Sequence, residues 1–254
     1  MQQAERAQQL AALHIKGNPL VLYNAWDAGS ARAIASAGAL AIASSSWAVA
    51  AAHGYEDGES IPMSLVEQIT ARIVGAVDVP VTVDAEGGYS DDPHECAENV
   101  ARLVDRGVAG INFEDGIVAG SGLHGIEAQS KRIAAIRRMA HARGVPLFIN
   151  ARTDLFFGPG APADGLAEAR KRAEAYAAAG ASGFFVPGLV DLKVIAELCD
   201  TIALPLNVMT MPGLPDARAL ANAGVARISH GPGPYLRAME AVRVAAQGIL
   251  ARPD

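Results

Sequence analysis

The chain has 254 residues, 51% of them hydrophobic and 19% charged, with 27 acidic against 21 basic side chains and a formal net charge of −6. That apolar share can fill one sizeable core, and the acidic balance argues against a nucleic-acid or anionic-membrane surface. The two cysteines, Cys96 and Cys199, fall in helix-like sequence without metal-ligand spacing and read as reduced core thiols. The first element, "MQQAERAQQLAALHIKG", reads as an amphipathic helix stopped by Gly17 and not as a signal peptide. No segment is long and apolar enough to span a bilayer, so a soluble cytoplasmic protein is the expectation.

Downstream, short apolar runs alternate with helical patterns. Strands are expected over 20–24, 40–44, 79–86, 109–115, 145–153, 182–188, 204–209 and 226–231. Helical segments such as 27–37, 63–77, 92–106, 127–143 and 163–179 lie between them, and "PYLRAMEAVRVAAQGILAR" forms a short helical C-terminal end. Gly38, Gly107, Gly144, Gly180 and Gly224 stand where glycine follows a helix C-terminus. Eight β-α units without a compositional break predict an α/β fold, a parallel (β/α)8 barrel occupying 1–254 as a single domain. A doubly wound open sheet competes, but the glycine-rich dinucleotide fingerprint after the first strand is missing.

In such a barrel the chemistry sits at the C-terminal ends of the strands. Those ends read Asn24 with Trp26 and Asp27, then Ser44 to Trp47, Asp84 with Glu86, and Glu114–Asp115. Asn150 with Arg152, Asn207, and Ser229–His230 complete the rim. Asp84 and Glu86 are two apart, which on a strand puts both on one face. Like charges held together repel, a cost that a metal ion resolves; a pair of salt bridges to rim arginines is the alternative. By contrast, Asp92, Pro93 and Glu95 fit an N-cap, a first-turn proline and a capping-box acid. Glu114 adds an acid to the rim, and Asp57 in "GYEDGES" adds one on a loop able to fold over the mouth. Several carboxylates around one opening suit a hard cation: Mg²⁺ takes one or two directly and keeps several waters. Arg152 offers a rigid fork for a carboxylate or phosphonate, or else a partner for Asp154 or Glu114. The run Ser44–Ser45–Ser46–Trp47 offers hydroxyls and backbone N–H groups to a small anion. His124 is either an acid or substrate contact or a solvated loop residue. His230 reads chiefly as a rim residue, His14 and His53 as structural, and Tyr23 and Asn207 as pocket lining or packing.

Taken together, "LYNAWDAGSARAIASAG", "SSSWAVAAAHGYEDGE", "VPVTVDAEGGYS", "GINFEDG", "INARTD" and "LPLNVM" resemble the isocitrate lyase/phosphoenolpyruvate mutase superfamily, almost to the C-terminus. The resemblance implies a (β/α)8 barrel that binds Mg²⁺, with Mn²⁺ as a substitute, and a small 2-oxo or 2-hydroxy carboxylate. It implies Asp84 as the direct metal ligand, with Asp57, Glu86 and Glu114 holding the metal largely through waters. Arg152 would grip the substrate carboxylate, and Ser45, Ser46 and Trp47 the oxo-acid end. The implied chemistry is cleavage of a bond at C3 through an enolate stabilised by the cation. Cysteine-dependent members carry their thiol in a gating loop that here reads "EDGIVAGSGLHGIEAQSKR", without cysteine. The lysine and asparagine that the phosphonate enzymes place in this loop are missing between Asp115 and Gln129. The expected activity is therefore a Mg²⁺-dependent carbon–carbon lyase or decarboxylase giving a pyruvate-like product, with Asp57, Glu114, Arg152 and His124 as catalytic candidates. Phosphonopyruvate hydrolase or mutase chemistry, and non-catalytic binding of a 2-oxo acid, are the alternatives. The family's usual assemblies imply a homo-oligomer, dimer or tetramer, with the exchanged C-terminal element expected to be reduced or absent in a chain that stops at Asp254.

Overall fold

A computed structural model describes residues 2–118, 120–158 and 164–250. The chain begins with α1 (Gln3–Ala12) and then repeats strand and helix. The first half holds β1 (Leu20–Leu22), α2 (Ala28–Ser36), β2 (Ile42–Ala43), α3 (Ser46–Ala52), α4 (Met63–Val74), β3 (Val81–Asp84), α5 (Pro93–Val104) and β4 (Gly110–Glu114). The second holds α6 (Ile126–Ala142), β5 (Phe148–Arg152), α7 (Gly165–Ala178), β6 (Gly183–Phe185), α8 (Leu192–Thr201), β7 (Leu206–Met209), α9 (Ala217–Asn222), β8 (Arg227–Ser229) and α10 (Gly233–Leu250). All ladders are parallel, in the order β1-β8-β7-β6-β5-β4-β3-β2. A bridge between Ala25 and Ser44 closes the ring beyond the ends of β1 and β2. The fold is the expected (β/α)8 barrel. Its strands are covered on both faces, which is why they read as continuous apolar runs.

The register carries polar residues to common heights: Asp84 stands beside Asn112, Asn112 beside Asn150, and Glu114 beside Arg152. Below the mouth the interior is polar. Asn150 Nδ2 and Arg227 Nη2 both donate to Asn112 Oδ1, at 2.9 and 3.0 Å. Cys96 and Cys199 are buried free thiols, as expected. No helix among the described residues is long and apolar enough to cross a membrane.

Three local expectations need correction. The N-terminal helix ends at Ala12, well before Gly17. It plugs the barrel floor, where Leu10 is fully buried and a Cβ at Gly110 would stand 2.7 Å from Leu10 Cδ2. The chain must then turn up into β1, so His14 stacks on Phe148 with ring centroids 4.0 Å apart and Gly17 takes φ +79. Second, Asp92 caps α5 as expected, but Glu95 does not complete a capping box. Ser90 stands between them: its Oγ accepts from the Asp92 N–H and donates to Glu95. Third, the strands are shorter than their apolar runs; the run at 40–44 forms a strand only at Ile42–Ala43, after which Ser44 bonds Thr82 and bridges Ala25, and Ser45 caps α3. Residue 163 of the expected helix, and 251–254 at the C-terminal end, lie outside the described residues.

Candidate active site

The C-terminal ends of all eight strands surround a cavity of about 120 Å³. Asn24, Ser45 to Trp47, Asp84, Asn112, Arg152, Phe185, Met209 and Ser229 come from successive strands, and Asp57 and Phe157 from the loops above. Asp84 is the last residue of β3. Its Oδ2 accepts from Ser46 Oγ at 2.9 Å, and its backbone N–H donates to Ser44 Oγ at 3.0 Å. Asp57 lines the same cavity; burial, and next the charge of Asp84, raise its carboxyl above the ordinary range.

Glu86 arrives by a different route from the one its spacing suggests. The strand stops at Asp84, and Glu86 adopts φ +49, so the two acids do not share a strand face. The Glu86 carboxylate turns to the loop after β2, accepting from the N–H groups of Gly58 and Glu59 at 3.2 Å each. It does not line the cavity. Burial, then the charge of Asp84, push its carboxyl up to about 7.

Arg152 is held on two sides. Its Nε and Nη2 donate to Asp154 at 2.6 and 2.9 Å, and its Nη1 pairs with Glu114 at 2.8 Å. A guanidinium has five N–H bonds, so one on each terminal nitrogen remains for a ligand. Glu114 itself is raised well above the usual carboxylate range by burial, against the pull of Arg152. Asp154 was legible as a possible partner but not as the residue that aims Arg152. Behind it, Asp115 is no rim acid. It is fully buried, accepting from Arg172 Nη1 (2.8 Å), the Tyr176 hydroxyl (2.7 Å) and the Asp154 N–H (3.1 Å).

Ser45 caps α3, accepting from the Ala48 N–H at 3.4 Å, which leaves Ser46 and Trp47 in the first turn, where backbone N–H groups lack intrahelical partners. The Trp47 and Trp26 rings both meet Tyr235 edge-on, at centroid distances of 6.0 and 5.3 Å.

Three expected residues stand elsewhere. Tyr23 faces outward, following the in–out–in burial of β1, and packs on His230 while its hydroxyl accepts from Arg237 Nε at 3.2 Å. Asn24, on the opposite face and already read as a rim residue, is the one that reaches the cavity. Asn207 is buried one layer below, bonded to Ser229. His124 does not line the cavity: its Nε2 lies 3.2 Å from Asp91 Oδ1, and burial, then Arg132, lower its pKa.

Among the described residues no three or more His, Cys, Asp or Glu side chains converge as a preformed metal cage. The donors nevertheless fit Mg²⁺. Glu114, Asp154 and Asp115 form ion pairs, whereas Asp57 and Asp84 form none among the described residues and repel each other across one cavity. Two unneutralised carboxylates with room for water and ligand oxygens match a cation that takes one or two acids directly.

Fold and mouth define a (β/α)8-barrel protein with a small acid-lined cavity at the C-terminal ends of its strands. Residues 10–250 match the family model for phosphoenolpyruvate phosphomutase, and the chain belongs to that family, within the isocitrate lyase/PEP mutase superfamily. An uncharacterized protein of Mycobacterium tuberculosis is 36% identical over 93% of this chain and 87% of its own length. The oxaloacetate decarboxylase of Pseudomonas savastanoi is 30% identical over 69% of this chain and 60% of its own length. Among solved structures, a Burkholderia cenocepacia protein provisionally named a phosphonomutase superposes with a TM-score of 0.94 at 44% identity, covering 97% of this chain and 99% of that one. A 2,3-dimethylmalate lyase structure gives 0.85 at 25% identity, covering 96% and 87%. The superfamily includes lyases, oxaloacetate decarboxylase and phosphonopyruvate hydrolase.

Proposed function

We propose that the protein is a Mg²⁺-dependent carbon–carbon lyase or decarboxylase that converts a small 2-oxo or 2-hydroxy dicarboxylate to a pyruvate-like product. The observation that carries this reading is the content of one cavity: two unpaired acids, Asp57 and Asp84, together with the remaining N–H edge of Arg152. At about 120 Å³ the space suits a small acid and is too small for a nucleotide.

Asp84 and Asp57 would hold the cation, which when bound supplies a Lewis acid for the oxygens of a 2-oxo acid. Arg152 presents its two remaining N–H bonds to a carboxylate, and its clamp by Asp154 and Glu114 means that little rotamer freedom is lost on binding. Ser46 and Trp47 line the same cavity, and their first-turn N–H groups, which lack intrahelical partners, would suit developing negative charge. Phe157, Phe185 and Met209 add apolar walls to the cavity. In decarboxylation, the C3–carboxylate bond breaks, carbon dioxide leaves, and the electron pair passes to the 2-oxo oxygen as an enolate. A proton then returns to C3 from solvent. That first step needs no side-chain acid, in keeping with a His124 turned to Asp91.

Similarity to an oxaloacetate decarboxylase and to 2-methylisocitrate lyase supports carbon–carbon cleavage. A second reading, carbon–phosphorus chemistry on phosphonopyruvate, is favoured by the family description and by the name of the Burkholderia structure. Against it, residues 116–128 contain neither lysine nor asparagine. A coupled pyruvate assay over oxaloacetate, citramalate, 2-methylisocitrate and phosphonopyruvate separates the two. Turnover of a carbon dicarboxylate supports the proposal; turnover of phosphonopyruvate alone replaces it with the second reading. Chelator-sensitive oxalate binding with no turnover would make the protein a 2-oxo-acid binder.

The proposal includes self-association. Helix α10 buries only Pro234 and exposes Leu236, Met239, Val242, Val244 and Ile249. Near the barrel floor an apolar groove of about 620 Å³, lined by Leu13, Ile15, Val21, Ile34 and Leu40 among others, lies open beside β1. Each surface suits the other from a second copy. The two free buried thiols accord with a reducing, cytoplasmic setting.

A further inference from the structure

Two glutamates outside the cavity clasp the loops that carry its acids. Glu86 on the loop after β3 accepts from the backbone N–H groups of Gly58 and Glu59 on the loop after β2, at 3.2 Å each. Glu59 returns the contact, its Oε1 accepting from the Tyr89 N–H at 2.7 Å. Glu59, Glu86 and Tyr89 are also the only non-glycine residues with positive φ among the described residues, at 57°, 49° and 59°. Such a conformation is strained in a residue with a side chain and persists only where its surroundings over-determine it, typically at functional sites. All of this left-handed strain is concentrated in one clasp.

The surroundings account for that. Arg132, fully buried on α6, donates to the carbonyls of Gly87 and, at 3.0 Å, Ser90, pinning the loop that Glu59 grips. Gly87 leaves space for the grip: a Cβ there would stand 3.1 Å from Glu59 Oε1. Asp57 lies two residues before Glu59, and Asp84 two before Glu86. The clasp therefore sets the gap between the two unpaired acids, which without it would relax apart under their own repulsion.

We propose that Glu59 is a positioning residue of the metal site: by accepting the Tyr89 backbone N–H, its side chain holds Asp57 opposite Asp84 so that both acids are in place before a divalent cation arrives. This rests on the metal-binding reading of the mouth. Glu59 acts here as a hydrogen-bond acceptor and not through its charge, which gives it a signature distinct from that of a ligand.

The test is Mn²⁺ affinity by electron paramagnetic resonance, without substrate, on the wild type, Glu59→Gln, Glu59→Ala and Gly87→Ala, each checked for folding by thermal unfolding. The amide oxygen of glutamine can still accept the N–H, so Glu59→Gln should bind within about threefold of wild type. Glu59→Ala should bind roughly 10–100-fold more weakly, the usual cost of losing an outer-shell partner. Gly87→Ala, which crowds the carboxylate without removing it, should weaken binding in the same direction and keeps the test valid if Glu59→Ala does not fold. Wild-type affinity in both alanine variants would overturn the inference, as would an equal loss in Glu59→Gln and Glu59→Ala, which would mean that charge matters. A wild type that binds no Mn²⁺ would instead overturn the metal reading on which it rests.

Discussion

Arg152 is bonded to Asp154 and Glu114, and under the proposed function it also meets a substrate carboxylate, three demands that only a planar fork meets. Lysine keeps the charge but cannot bridge them, so Arg152→Lys should lower kcat/KM by about 10²-fold, a loss on the order of 3 kcal/mol. Most of that should appear in KM, because the lost contact is to a carboxylate present in both substrate and transition state. A steady-state comparison in which kcat falls and KM does not would place Arg152 elsewhere in the reaction. Asp57, Asp84, Arg152 and the Ser45–Trp47 segment were legible in the sequence because a barrel rim collects whatever polar residues end its strands. The shared face of Asp84 and Glu86 was misread because strand alternation was extended past the last paired residue, where Glu86 leaves the β region; on β1 the alternation sends Tyr23 outward, the packing alternative, and Asn24 inward.

At the scale of elements, the loops after β2 and β3 bring acids together at an electrostatic cost. Glu86 is pushed up to about 7 from an ordinary 4.5 by burial and Asp84; Asp57 and Glu114 are raised as well. A carboxyl raised in the folded state binds its proton more tightly there than in the unfolded chain, so its ionisation on raising the pH destabilises the fold. The metal-free protein should therefore keep the full Glu86 contribution at and below about pH 4.5 and lose it as the pH rises through about 7, levelling off above. Mg²⁺ should flatten that slope by neutralising the cluster. Thermal unfolding across this range with chelator, then with Mg²⁺, measures both; a chelated protein whose melting temperature rises with pH would contradict the assignment. The helices and strands themselves were legible from periodicity and from their glycine exits. Their ends were not, because the floor contact of Leu10 on Gly110 and the serines that close the ring are tertiary demands.

For the whole molecule, the open groove beside β1 and the bare face of α10 make the isolated chain look incomplete. Neither was visible in the sequence, where α10 reads only as a short helical C-terminal end and the packed barrel alone reveals that nothing covers it among the described residues. Light scattering should find the wild type as a dimer or larger, and the pair Leu236→Glu with Val242→Glu as a monomer that keeps its barrel; a monomeric wild type would contradict the association. The account as a whole turns on one rate: pyruvate released from oxaloacetate with Mg²⁺, for the wild type and Asp84→Ala, each corrected for the metal-only decay of the substrate. We predict release above the blank that chelator abolishes and that Asp84→Ala lacks while unfolding at or above the wild-type temperature. Equal release by the two proteins, or release indifferent to chelator, would contradict the claim that Asp84 holds a catalytic cation.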